Sequence, residues 1–168
     1  YMFTHPGAKL LFMGDEFGSS REWNYKSELP WDLLQFESHR LLKDCVRDLS
    51  LLLRNEPALY EKQFANGGFE WVDLNHRNEC VMVYRRKGLK EADDVLVILN
   101  MTPVIRRDWK IYTYGKKAWK EIFNSDLKKY WGTGDVFNPE PEVKLVDKNN
   151  NMFEINVHLP ALGAIVLK

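Results

Sequence analysis

The 168-residue sequence predicts a mainly β chain. An antiparallel β-sandwich forms its C-terminal part, preceded by a strand, a long loop and a helix of the kind that ends a larger α/β enzyme. Three observations carry this reading. Leu10-Leu11-Phe12-Met13 is apolar without alternation, the pattern of a strand covered on both faces in a parallel sheet. Only eight residues precede Lys9, too few for the crossover that would join it to a parallel neighbour, so the rest of that sheet is expected upstream of Tyr1. Beyond Gly68, short runs of alternating or wholly apolar residues are separated by turn residues, as in a sandwich.

Taken in order, His5-Pro6-Gly7 reads as a turn and Lys9–Met13 as the buried strand. Gly14–Phe36 is a loop that carries Gly14, Gly18, Ser19, Ser20, Asn24 and Pro30. Loops of that length inside compact domains usually carry function, and Phe17, Trp23, Tyr25, Leu29 and Trp31 give this one something to pack. Ser38 can cap a helix that runs to Asn55, with Leu42, Cys45, Val46, Leu49, Leu52 and Leu53 forming one apolar stripe. Pro57 ends it, Pro57–Tyr60 forms a further short turn, and a domain boundary falls near residue 65, before Asn66-Gly67-Gly68. Strands are expected at Phe69–Asp73, Cys80–Arg85, Asp94–Met101, Lys110–Tyr112, Ala118–Asn124, Phe153–Leu159 and Ala164–Leu167. Val95–Leu99 is apolar on both faces and should lie at the centre of a sheet. Residues 125–151 read mostly as loop.

Lys+Arg and Asp+Glu both number 24, so the formal charge is zero. That balance argues against nucleic acid or an anionic membrane as partner, since both select a basic excess. No apolar run approaches a membrane span. Residues 1–20 lack the pattern of a signal peptide, which makes a cytoplasmic setting the expectation. Cys45 and Cys80 are expected as buried apolar side chains; no Cys/His spacing suits a metal. The four histidines show no triad-like arrangement, and Trp131-Gly132-Thr133-Gly134 does not fit a phosphate-binding loop.

The residues with chemical promise follow the first strand. Asp15 and Glu16 stand where strand ends face an active site in barrel enzymes; alternatively they pair with Arg21 or accept loop N–H groups. Trp23, Tyr25 and Trp31 offer either sugar-stacking faces or a small core for the loop. Arg21, Glu22 and Asn24 supply donors and acceptors suited to hydroxyl groups, or to hydrogen bonds within the loop.

PGAKLLFMGDEFG, REWN and LPWDLL, followed by RDLSLLLRNEPAL, FEWVD, VLVILNMTPV, WKEIFNSD, YWGTG and LPALGAIVLK, resemble in order the C-terminal part of 1,4-α-glucan (glycogen) branching enzymes. These belong to the α-amylase-like glycoside hydrolase superfamily. The likeness thins at 85–93 and 135–152. The sequence departs from the family at Asp15, where a small or neutral residue is common, and at Tyr25 and Asp32, where a histidine is frequent.

The resemblance implies that residues 1–65 are the last strand, long loop and helix of a (β/α)8 catalytic barrel. Residues 66–168 are then the C-terminal all-β sandwich. It implies an enzyme that transfers an α-1,4-glucan segment to a 6-hydroxyl by double displacement, with an Asp nucleophile, a Glu acid/base and a stabilising Asp. All three would precede Tyr1, so no catalytic residue is assigned here and residues 1–168 alone should be inactive. Substrate contacts fall to Glu16, Arg21, Trp23 and Asn24, with Trp31 supporting the loop. No metal and no organic cofactor is implied. The partners are an α-glucan such as amylose or glycogen and the upstream barrel of the same chain. Two other readings remain: a non-catalytic carbohydrate-binding or structural sandwich module, and the tail of an α-amylase-type hydrolase.

Overall fold

A strand that is apolar on both faces needs a layer on each side, and β3 (Val95–Asn100) has them. The computed structural model describes residues 1–168. Two helices open the regular structure, α1 (Glu37–Asn55) and α2 (Pro57–Tyr60). The other strands are β1 (Phe69–Asp73), β2 (Val81–Arg86), β4 (Arg106–Tyr114), β5 (Glu121–Asn124), β6 (Glu142–Asp147), β7 (Met152–Leu159) and β8 (Gly163–Leu167). One sheet has the order β1-β2-β3-β8-β5 and the other β4-β7-β6, with every pairing antiparallel.

Leu96 and Ile98 of β3 face the second sheet, in a core with Val81, Val83, Ile111, Ile155, Val157 and Ile165. Val95, Val97 and Leu99 point the other way. There they meet Cys45 of α1 and Ala58 and Leu59 of α2, with Leu49, Leu52 and Leu53 packed alongside. The α1 stripe therefore covers the outer face of the larger sheet. Asp48 ties it down by accepting from the Tyr130 hydroxyl (2.7 Å) and Lys129 Nζ (3.0 Å).

Several expectations need correction. Lys9–Met13 is not a strand: Lys9–Phe12 have no regular structure, and Leu10 is 75% exposed. An extended segment becomes a strand only when a neighbour pairs its N–H and C=O groups, and no strand of the two sheets pairs with this one. Helix α1 begins at Glu37 after Phe36, without a side-chain cap, so Ser38 lies inside its first turn. Residues 125–151 contain β6, hidden from pattern reading because this edge strand is exposed on most of its positions. Cys45 is buried, and burial pushes its thiol up to about 11. Cys80 is instead exposed, at φ 47°, in the turn before β2.

Glu121 is a buried carboxylate, and burial holds its pKa above the usual range although Asn138 and Asn124 donate to it. A folded-state pKa raised above the unfolded value disfavours folding at neutral pH, and the cost is relieved as protons bind. Relative to Glu121→Gln, the native chain should therefore gain melting temperature as pH falls from neutral toward about pH 5. A difference in melting temperature that stays flat over that window would refute this.

Candidate functional site

Residues 12–32 form a folded surface loop built on one buried ring. Gly14 (φ 97°) and Gly18 (φ 69°) bracket a single 3-10 turn, Asp15–Phe17. Both glycines sit in backbone conformations that side chains disfavour. A Cβ at Gly14 would also lie 3.0 Å from the Phe17 ring, and one at Gly18 would lie 2.8 Å from Leu42. The two reversals drive Phe17 to full burial. His39 of α1 fastens the turn by donating from Nδ1 to the Phe17 carbonyl (2.7 Å), and the Trp31 ring lies 5.4 Å from the Phe17 ring.

Above that anchor is a shallow cleft of about 260 Å³ lined by Phe12, Met13, Asp15, Arg21, Glu22 and Trp23, among others. Trp23 is 53% exposed. Its ring meets Phe12 edge-on at 5.6 Å, and Tyr25 lies 6.5 Å away. Arg21 Nη2 pairs with Asp32 Oδ2 at 2.8 Å. An exposed pair of this kind contributes about 0–1 kcal/mol to stability, so its effect is to aim the guanidinium. Chemically the cleft offers an aromatic face, a fixed guanidinium and two carboxylates, a set suited to a neutral polyhydroxylated ligand.

Of the residues expected to contact substrate, Arg21 and Trp23 share this cleft. Glu16, Asn24 and Trp31 do not line it. Asn24 caps its own turn: its Oδ1 accepts from Lys26 N (3.0 Å) and its carbonyl from Ser27 N (3.2 Å). Trp31 lies beneath, on Phe17. Asp15 accepts from Phe12 N (3.0 Å), one of the two roles open to it from sequence. The partner of Arg21 is Asp32, not Asp15 or Glu16. Sequence reasoning missed Phe12 as a wall of the cleft, because an apolar run reports burial more readily than lining. No three His, Cys, Asp or Glu side chains cluster as metal ligands. No helix is long and apolar enough to cross a membrane.

Residues 71–168, more than half the chain, match the family model described as the alpha amylase, C-terminal all-beta domain. The chain belongs to that family. The crystal structure of an alpha-amylase from H. orenii matches 98% of this chain and 33% of its own with a TM-score of 0.52, at 22% identity, and so shares the fold.

Over its whole length the chain is homologous to the C-terminal part of 1,4-alpha-glucan branching enzymes GlgB. It is 40% identical to that of Aquifex aeolicus (strain VF5), covering 100% of this chain and 27% of the enzyme. It is 38% identical to that of Halothermothrix orenii, again with 100% and 27% coverage. The enzyme of Rhodopirellula baltica is 39% identical over 100% of this chain and 23% of its own length. The chain thus spans about a quarter of the length of the curated relatives it matches.

Proposed function

We propose that residues 1–168 act as the C-terminal part of a cytoplasmic glycogen branching enzyme. That enzyme transfers α-1,4-glucan segments to a 6-hydroxyl, forming α-1,6 branches by retaining double displacement. One observation carries the reading: 40% identity to a branching enzyme runs through all 168 residues, including the loop and helix that precede the matched β-domain. In this arrangement residues 1–65 complete a catalytic barrel and cover Leu10–Met13 with its strands, while residues 66–168 form the terminal sandwich. The catalytic carboxylates come from the barrel. Arg21 and Trp23 shape the glucan cleft, Trp23 with a ring face and Arg21 with hydrogen bonds to hydroxyl groups. Glu16 and Asn24 lie outside its walls, next in sequence to Asp15 and Trp23, and Trp31 supports the loop from below.

The test is to express the whole protein that carries these residues and incubate it with amylose. New α-1,6 linkages without a matching rise in free reducing ends support the proposal. Reducing ends without branches would identify an α-amylase-type hydrolase. Neither product would leave a non-catalytic carbohydrate-binding or structural module. Residues 1–168 alone are expected to turn over nothing.

Trp23→Ala in the whole protein should lower kcat/KM by at least about tenfold, ~1.4 kcal/mol of transition-state stabilisation. Because Trp23 is half exposed, the melting temperature should scarcely move. An unchanged rate, or a loss matched by unfolding, would make Trp23 part of the loop's own packing.

A further inference from the structure

A second cleft, about 410 Å³, opens at one end of the sandwich, where the ends of β2 and β4 meet the turns at Glu91–Asp94 and Asn150–Asn151. At its floor lies Arg85, 1% exposed. Two of its three nitrogens are used: Nε donates to Asp94 Oδ2 and Nη1 to the Tyr114 carbonyl, both at 2.8 Å. The third, Nη2, makes no hydrogen bond to the protein. Its nearest acid is Glu91 Oε1 at 3.8 Å, beyond direct bonding distance.

The spacing between these groups is built. Lys116 Nζ donates to the carbonyls of Ala92 and Asp94 (3.3 Å each), which staples the turn that carries Glu91. Gly115 leaves the room for that carboxylate, since a Cβ there would stand 1.9 Å from Glu91 Oε1. Arg85 is paired with Asp94 and Lys87 with Glu70, which leaves Lys62 as the one lining cation without an acid partner. An incoming anion would face Glu91 and Asp94. A guanidinium N–H and a carboxylate held slightly too far apart to bond suit a group that accepts from one and donates to the other. A hydroxyl does both, and two adjacent sugar hydroxyls span the gap with less strain than one. The half-exposed Tyr114 ring borders the opening and offers an apolar edge to a pyranose.

We propose that this cleft is a glucan-holding site on the sandwich, separate from the Trp23 cleft, in which Arg85 Nη2 and Glu91 clasp a vicinal diol of an α-glucan chain. The proposal rests on the glucan reading above.

The test titrates isotopically labelled residues 1–168 with maltoheptaose and follows backbone amide shifts. Gly88, Gly115 and Asn151 are expected to shift saturably. Glu91→Ala, at an exposed side chain, should weaken that binding by about tenfold, the effect of losing a charged acceptor. Glu91→Gln, which keeps a carbonyl oxygen, should restore most of it. Shifts in the Arg21–Trp23 amides alone would overturn this second site and leave the glucan reading standing. No saturable shift at either cleft would count against both. Saturation of the Gly115 region by inorganic phosphate but not by maltoheptaose, or binding indifferent to Glu91→Ala, would also overturn the assignment.

Discussion

Replacing Arg86 by leucine should lower the unfolding free energy by about 3 kcal/mol or more. Arg86 is fully buried, and no carboxylate is paired with it. Its guanidinium donates instead to three carbonyls from three separate segments: Thr4 (2.6 Å), Leu59 of α2 (3.3 Å) and Gly68 (3.2 Å). Burial holds its pKa below the usual value for arginine. Leucine would leave the Thr4 and Leu59 carbonyls without this donor, at ~1–3 kcal/mol for each that water cannot reach, while the Gly68 carbonyl keeps the N–H of Lys87 (3.0 Å). Arg86→Lys should recover only part, because one ammonium cannot reproduce the spread of a planar fork. Urea denaturation reads the effect directly. A leucine variant with an unchanged midpoint would show that the N-terminal segment is not held through this residue.

Asp94→Ala should cost about 3–5 kcal/mol, the usual penalty for stranding one member of a buried ion pair. Asp94 takes Arg85 Nε on one oxygen and Gly88 N–H (2.9 Å) on the other. Its loss leaves a buried guanidinium and a buried amide without their acceptor at once. Much of the penalty should return in the double variant Arg85→Met/Asp94→Leu, because removing both charges also removes their desolvation cost. Thermal melts of the single and double variants decide this. If the double variant falls as far as the single one, the pair is worth its Coulomb energy and the argument fails.

The most readable strand was β3, since Val95–Leu99 alternates between two covered faces and both need apolar side chains. The α1 stripe was equally plain, although its partner is the sandwich. What escaped the sequence did so for physical reasons. The EVKLVD run of β6 mixes charge with apolar residues because an edge strand meets water on most of its positions. Leu10–Met13 showed hydrophobic demand, but periodicity cannot say whether a backbone partner exists. Arg85 and Arg86 at the end of β2 are both buried, a placement that depends on carbonyls and acids remote in sequence. At the loop, the aromatic and arginine content pointed to the stretch in which Arg21 and Trp23 share a cleft. The pairing of Arg21 with Asp32 could not be read, because it depends on how the loop turns back between them.

The position of β8 beside β3 also sets the order in which the molecule can assemble. Hairpin-like pairing of β2 with β3 is local and can form early. The other edge of β3 must wait for β8, with Val97 meeting Val166 and Leu99 meeting Ala164 only after β4 to β7 have intervened in sequence. Closing so long a loop is slow. Through that interval an uncharged run of five aliphatic residues presents a bare edge, the feature that lets one nascent chain add to another. Refolding yield should therefore depend on chain concentration far more than the stability of the finished sheet would suggest.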